Sequence, residues 1–502
     1  MSANAAKPRV FKNFIAGKWT ADGTKGHFDN ISPADTRDVV GQFPSAGSEE
    51  VMEAVAAAKE EYARWRLVPA PKRAEIIRRA GDIMSARKEE IAQLMTREMG
   101  KIVVETRGDV QEGIDTAYYS AGEGRRLFGD TVPCELPNKF GMSVRMPVGV
   151  CGMITPWNFP MAIPTWKIFP ALVCGNTVVF KPATDTPATA VMFVEVLLEA
   201  GVPEKAINLV CGGGSSVGNA LVEHPDVPVI SFTGSSDVGK RIASVGGQQL
   251  KRISLELGGK NAMIVMDDAD LDLALEGAVW GAFGTTGQRC TATSRLIVHE
   301  KIADKFTQRV IDRVKKLRVG NGLKDGIEMG PCVSQGQRES VKQYVEIGKN
   351  EDKATLALGG NELTSGDHAH GWFFEPTIFT DVKPNMRIAQ EEIFGPVLSV
   401  IRIKDFDEAI NVLNGTIYGL SSSIYTRDVN AAFRAIRDIE AGITYVNGPT
   451  IGAEVQLPFG GVKATGNGHR EASHTVLDTF TEWKSVYVDY SGKLQRAQID
   501  IE

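Results

Sequence analysis

Val148-Gly-Val-Cys-Gly-Met-Ile154, Thr177-Val-Val-Phe-Lys181, Ile207-Asn-Leu-Val210 and Val227-Pro-Val-Ile-Ser-Phe232 are short apolar runs, and residues 187–200 and 236–245 around them carry helical patterns. Apolar runs of this kind are buried on both faces. Strands that alternate with helices imply βαβ units, so the stretch 145–265 predicts an α/β fold built on a parallel sheet. The alternation then starts again. Ala262-Met-Ile-Val-Met266 reads as a strand, Asp270 to Phe283 as a helix that opens with acidic residues, and 294–299 as another strand. Ile302, Phe306, Val310, Val314 and Leu317 fall on one face of a helix over 301–317 and read as core. Segments near 397–403, 420–425 and 442–447 extend the second sheet, and the two units meet near 260, at Gly258-Gly259. Upstream, Val51, Ala54, Val55 and Ala58, then Ile76, Ile77, Ala80, Ile83 and Met84, recur at helical spacing and predict a helical layer over 50–100. A site shared by two such units lies in the cleft, where open α/β sheets bind ligands.

The chain has 502 residues, 43% hydrophobic and 24% charged, with 52 glycines, which describes a glycine-rich globular protein rather than a disordered or fibrous one. Its net charge of -6 offers no basic footprint, which excludes nucleic acid as an expected partner. The first residues, Met-Ser-Ala-Asn-Ala-Ala-Lys-Pro-Arg, lack an apolar signal core, and no stretch approaches the ~20 apolar residues of a membrane span. A cytoplasmic protein that does not enter the membrane is expected. Cysteines 134, 151, 174, 211, 290 and 332 form no Cys-x-x-Cys pair and no zinc spacing, so reduced thiols are the simplest reading. His368-Ala-His370 reads as a solvated loop, and no metal is expected.

Chemistry concentrates at Cys290, in Gly284-Thr-Thr-Gly287-Gln-Arg-Cys290-Thr-Ala-Thr-Ser-Arg295. A thiol in a glycine-spaced loop, between an apolar helix and an apolar strand, is placed to attack. With an ordinary pKa of ~8.5 it would be only a few per cent thiolate at neutral pH, so a nucleophilic role needs a base or positive dipoles nearby. Glu256, in Leu255-Glu-Leu-Gly-Gly-Lys260, is a candidate base, and Asn158, in Pro156-Trp-Asn-Phe-Pro160, a candidate amide donor. The bland alternative, a buried cysteine acting as a small hydrophobe, is weighed down by these two companions. Two glycine loops compete for a dinucleotide: Gly212-Gly-Gly-Ser-Ser-Val-Gly218 and Phe232-Thr-Gly-Ser-Ser-Asp-Val-Gly-Lys240. Each follows a strand and precedes a helix, neither is Gly-x-Gly-x-x-Gly, and spacing alone does not choose between them.

Taken together, Pro156-Trp-Asn-Phe-Pro160, Phe180-Lys-Pro-Ala183, Phe232-Thr-Gly-Ser235, Leu255-Glu-Leu-Gly-Gly-Lys260, Gly287-Gln-Arg-Cys290, Glu391-Glu-Ile-Phe-Gly-Pro396 and Pro458-Phe-Gly-Gly461 resemble the aldehyde dehydrogenase superfamily, in its order and over roughly residues 10–490. The resemblance implies that fold: a Rossmann-like cofactor domain (1–128 and 148–259), an α/β catalytic domain (260–475) and a small β oligomerisation arm and tail (129–147 and 476–502). It implies Cys290 as nucleophile, an oxyanion held by the Asn158 amide and the Cys290 N–H, and Glu256 as the base that activates water. Lys167 and Glu471 match a proton relay behind that base, with ordinary salt bridges as the equal alternative. For the dinucleotide, it implies pyrophosphate near Gly234, Ser235 and Gly239, with Gly214 on the adenine side. Lys181 and Glu392 then match ribose ligands, Phe394 and Leu257 lie at the nicotinamide end, and Thr155, Pro156 and Trp157 border the cofactor.

Thr184 departs from the pattern, because many NAD-preferring relatives carry glutamate there. A neutral threonine removes a carboxylate that would repel a 2′-phosphate and leaves Lys181 to pair with it. NADP is therefore favoured, with NAD usable, although Asp185 next door can restore part of the repulsion. Phe159, Met161, Trp166, Arg289, Thr291 and the loop Gly448–Gln456 match the substrate walls. The pattern around Cys290 looks like bacterial semialdehyde dehydrogenases, including those acting on 2,5-dioxopentanoate. Arg289 has two open readings, as anchor for a distal carboxylate or as partner of an internal acid. Three functions compete: a hydrolytic aldehyde dehydrogenase, a CoA-acylating one, and a non-catalytic homologue. Retention of Glu256 favours water over CoA, and the intact Cys290, Glu256 and Asn158 set disfavours the third. The segment 481–489 reads as a late strand with no obvious partner after it. By resemblance it forms, with 129–147, an arm that pairs with a neighbouring subunit, implying a homotetramer built from dimers, or at least a dimer.

Overall fold

The computed structural model describes residues 8–500, so the outermost residues of the expected units, 1–7 and 501–502, lie outside the described residues. The apolar runs form the strands Val150–Ile154, Thr177–Lys181, Ile207–Leu209 and Val229–Thr233, every one buried or nearly so. With Arg252–Glu256 they make a parallel sheet. In space the order is Arg252–Glu256, Val229–Thr233, Val150–Ile154, Thr177–Lys181, Ile207–Leu209, then the short antiparallel strands Asn13–Ile15 and Lys18–Thr20. Chain direction across the sheet therefore reverses between Val150–Ile154 and Val229–Thr233. At such a switch point the loops leaving the two carboxyl ends part, and a crevice opens. Those loops are Thr155 to Asn158 and Gly234-Ser235.

The helices Ser48–Trp65, Ala70–Ala86 and Lys88–Met99 lie where the periodicity predicts them, as do Pro187–Ala200 and Ser236–Gln248. Two others left no stripe to read. Ala162–Cys174 is buried at every residue, so it has no polar face to alternate with. Val103–Glu123 buries Glu105, Asp109 and Glu123 together with its apolar residues, which breaks the pattern.

The second sheet runs Thr355–Leu358, Thr377–Thr380, Val397–Ile403, Arg295–His299, Ala262–Val265, Ser421–Tyr425 and Ile443–Val446, parallel except at its first pair. Only residues 257–261 separate the last strand of the first sheet from the earliest strand of the second. Such a short link holds the carboxyl end of one sheet against the amino end of the other, and the cleft forms there.

The late strand joins the segment 129–147, with which the family resemblance grouped it. Thr481–Asp489 pairs antiparallel with Lys139–Pro147 along its whole length, and Thr131–Val132 covers the other side of Lys139–Pro147. The partners are more than 330 residues apart, so no local signal announces them. Trp483, Tyr487 and Val488 remain exposed on this arm.

The loop before Cys290 is strained. Thr285 and Thr286 sit in the left-handed region at φ 53° and 60°, where a non-glycine residue is disfavoured. Gly287 follows at φ +67°, and a Cβ there would lie 2.2 Å from the Gly395 carbonyl oxygen. The buried Glu105 carboxylate holds this turn by accepting from Thr285 N at 2.7 Å. Gly287→Ala must therefore move the loop or the Gly395 strand entry. We expect it to cost about 2 kcal/mol and to change the alkylation rate of Cys290. An unchanged thermal midpoint and an unchanged alkylation rate would contradict this loop geometry.

Candidate active site

Cys290 lies where two cavities meet. One, of about 100 Å³, is lined by Phe159, Trp166, Glu256, Arg289, Thr291 and Glu471 among others. The second, of about 230 Å³, is lined by Pro156, Trp157, Asn158, Gly234, Ser235, Leu257, Glu392 and Phe394. A third, of about 550 Å³, continues past Trp157 and Ser235 to Thr155, Lys181, Thr184, Asp185 and Gly214. Thr233, at the end of its strand, borders all three. Residues from both sheets thus line one path from Lys181 to Glu256.

Burial pushes the Cys290 thiol up to about 12, helped by the Glu392 and Glu256 carboxylates. The resting group is the thiol, and it needs a base at the moment of attack. Glu256 is fully enclosed, and neither carboxylate oxygen has a hydrogen-bond partner among the described residues. Burial first, and then the Glu471 charge, raise its pKa well above the ordinary carboxylate value. Such a carboxyl has the proton affinity that a free glutamate lacks. Behind it, buried Lys167 donates to Ser231 Oγ at 2.8 Å and to Glu471 Oε1 at 2.6 Å. Glu471 lines the same cavity as Glu256, and its Oε2 is unpartnered. The pair is thus a salt bridge that also borders the reacting space. The Asn158 amide opens on the second cavity at the Cys290 side.

The long cavity is shaped to take a dinucleotide. Ser235 precedes the helix Ser236–Gln248 without capping it through its side chain, so the first N–H groups of that helix are open to an anion. A Cβ on Gly214 would meet no atom within 4 Å, so the first glycine loop borders open space and both loops contribute. Lys181 Nζ donates to the Pro182 carbonyl at 2.8 Å, and burial pulls its pKa down to about 8. Glu392 accepts from Gly259 N at 2.9 Å, and burial pushes it up to about 7. Phe394 packs edge-on against Trp157 at 5.4 Å between ring centroids, and its carbonyl accepts from Gln337 Nε2 at 2.8 Å.

Two expectations need correction. Gly239 does not line the path: it is buried under Leu257, whose Cδ2 would lie 2.3 Å from a Cβ at that position, so its smallness serves helix packing. Met161 is not among the residues lining the substrate cavity, because at the start of the helix Ala162–Cys174 it is wholly buried in the core. Arg289 does reach the cavity, yet it is bound to an acid: Nη2 donates to Glu105 Oε1 at 3.0 Å and Nε to Thr285 Oγ1 at 2.8 Å. From the expected loop, Gly452 and Ala453 reach the wall. Sequence reading missed Glu105, Glu112, Thr233, Gln337, Leu420 and Phe459. Glu105 and Glu112, on the unread helix Val103–Glu123, would have emerged from its i, i+7 spacing.

The aldehyde dehydrogenase family model matches residues 19–486. The chain is 43% identical over 479 residues to the α-ketoglutaric semialdehyde dehydrogenase of Bacillus subtilis, covering 95% of this chain and 98% of the relative. It is 44% identical over 476 residues to the 2,5-dioxopentanoate dehydrogenase of Saccharolobus solfataricus, with 94% and 98% coverage. Among solved structures, betaine aldehyde dehydrogenase from Staphylococcus aureus in complex with NAD+ superposes with a TM-score of 0.93 at 35% identity, covering 96% of each chain. With a matching fold, a cysteine at the junction of two cavities and family matches over nearly its whole length, this chain belongs to the aldehyde dehydrogenase family and is an NAD(P)-dependent aldehyde dehydrogenase.

Proposed function

We propose that the protein oxidises a carboxylate-bearing semialdehyde to the acid, with Cys290 as nucleophile and Glu256 as base. The observation that carries this reading is the position of Cys290 between a dinucleotide-shaped path and a cavity holding an unpartnered, high-pKa carboxyl. Glu256 takes the thiol proton as the Cys290 Sγ attacks the carbonyl carbon. Asn158 and the Cys290 N–H donate to the oxygen as it becomes anionic. The dinucleotide, when bound, supplies a two-electron acceptor at its nicotinamide end. Collapse of the tetrahedral adduct leaves a thioester on Cys290. Glu256 passes the thiol proton on to Glu471 and Lys167 and, ionised again, draws a proton from water as the water oxygen attacks the thioester. The C–S bond breaks, the acid leaves, and the Cys290 sulfur takes back a proton.

The substrate reading rests on the two semialdehyde-oxidising relatives and on Arg289, whose Nη1 has no protein partner among the described residues and whose side chain lines the cavity. 2,5-Dioxopentanoate is the substrate we propose. For the cofactor we propose NADP, with NAD usable: neutral Thr184 lines the long cavity with the cations Lys181 and Arg241. Asp185 lines it too, and burial raises its pKa, which weakens the repulsion it offers. We further propose a homotetramer of dimers. Its support is the exposed apolar surface of the arm and a second exposed set, Val429, Phe433 and Ile436 on the helix Val429–Asp438, near the edge strand Ile443–Val446.

A panel of aldehydes and semialdehydes, assayed with NAD and NADP separately and with and without CoA, tests the reaction. Preference for 2,5-dioxopentanoate without a CoA requirement is expected; a CoA requirement would overturn hydrolysis by Glu256. Cys290→Ala should abolish turnover, and Glu256→Gln should slow acylation and slow deacylation further, giving a slowed burst of reduced cofactor followed by still slower turnover. Normal steady-state rates in either variant would rule out these roles. Thr184→Glu should shift preference toward NAD by at least about tenfold, equivalent to ~1.4 kcal/mol; an unchanged ratio would mean that Thr184 does not face the ribose. Sedimentation should give a tetramer, or at least a dimer, at micromolar concentration, and a chain truncated before Thr481 a smaller, aggregation-prone species. A monomeric wild type would contradict the assembly.

A further inference from the structure

Glu105, Asp109 and Glu112 stand at i, i+4 and i+7 on the helix Val103–Glu123, so they share one face. The first two are engaged within the protein. Glu105 accepts from Thr285 N and Arg289, and Asp109 accepts from Lys101 Nζ at 2.8 Å and from Ala162 N at 2.8 Å. Glu112 lines the same cavity as Cys290, and among the described residues its carboxyl has neither a hydrogen-bond partner nor an ion pair. Its neighbours in that wall include the apolar Phe159, Ile163, Trp166 and Phe459. A carboxyl in such a wall is costly unless a ligand completes it.

We propose that Glu112 is a specificity-determining residue that receives the oxo-carboxylate end of the substrate by donating a hydrogen bond to it, beside the Arg289 guanidinium. This rests on the semialdehyde reading above. An ionised Glu112 would repel that end, so the acid is the competent form. The groups that face it are Asp109 and Asp115 on its own helix, Lys101 before it, Arg289 in the Cys290 loop and Tyr445 on Ile443–Val446. Burial, then Asp109, pushes the Glu112 pKa up to about 8 against the pull of Lys101 and Arg289. Near neutrality the carboxyl therefore holds its proton, and it loses it as pH rises past that value.

The test is the ratio of kcat/KM for 2,5-dioxopentanoate to kcat/KM for pentanal, measured from pH 6.5 to 9.5, because titration of Cys290 and Glu256 cancels between the two substrates. In wild type the ratio should fall above about pH 8. Glu112→Gln, which keeps a donor without a titrating proton, should retain most of the ratio at neutral pH and remove the fall. Glu112→Ala should lower the ratio about tenfold or more at neutral pH. If wild type favours the semialdehyde but its ratio is flat with pH and unaltered in Glu112→Ala, the assignment of Glu112 is wrong and the substrate reading stands. If wild type shows no preference for the semialdehyde, both are wrong.

Discussion

Residues 257–261 are the constraint on which the site depends. This link carries the chain from Glu256, at the carboxyl end of one sheet, to Ala262, at the amino end of the other, and several of its groups are tied down. Leu257 N donates to the Thr465 carbonyl at 2.7 Å, and Thr465 Oγ1 to the Gly258 carbonyl at 2.9 Å. Gly259 N holds Glu392. Asn261 donates through Nδ2 to the Cys290 carbonyl at 2.7 Å, while its Oδ1 accepts from Ser421 N at 2.9 Å. A Cβ on Gly259 would lie 2.8 Å from the Cys290 carbonyl oxygen, so the nucleophile's loop reaches this close only because glycine leaves room. The proposed base, the proposed nucleophile and a proposed cofactor ligand are thereby fixed to one short stretch of backbone.

Electrostatics follows from the enclosure that this link creates. Glu256, Glu392 and Glu112 are all pushed toward their neutral forms by burial, while Asp109 and Glu471 each keep a buried lysine and Glu105 the partly exposed Arg289 as partner. Breaking such a pair leaves an uncompensated charge and costs about 3–5 kcal/mol, whereas an unpaired neutral acid can exchange its proton with a ligand. Acids fixed in pairs shape the walls. The Glu256 and Glu112 carboxyls, without a side-chain or backbone partner among the described residues, line the cavity at Cys290.

Elements with a clean period were legible: the doubly buried strands Thr177–Lys181 and Val397–Ile403 and the helix Pro187–Ala200 fall at the residues their patterns mark. The motif residues were legible through the family resemblance, and the structure gathers most of them along one path. What escaped did so for identifiable reasons. Ala162–Cys174 is too uniformly buried to show a face, and Val103–Glu123 hides buried acids in its stripe. Met161 and Gly239 were placed at the site by match to the family, but Met161 packs wholly into the core and Gly239 lies buried against Leu257. Whether Arg289 met an internal acid was open because Glu105 lies on the unread helix.

The central claim is that Cys290 carries the acyl group and Glu256 releases it. Mass spectrometry of Glu256→Gln protein, quenched in acid after incubation with 2,5-dioxopentanoate and NADP, tests it most directly. The expected result is an acyl adduct confined to the peptide containing Cys290, absent when the dinucleotide is omitted. No adduct despite formation of reduced cofactor, or an adduct on another residue, would contradict it.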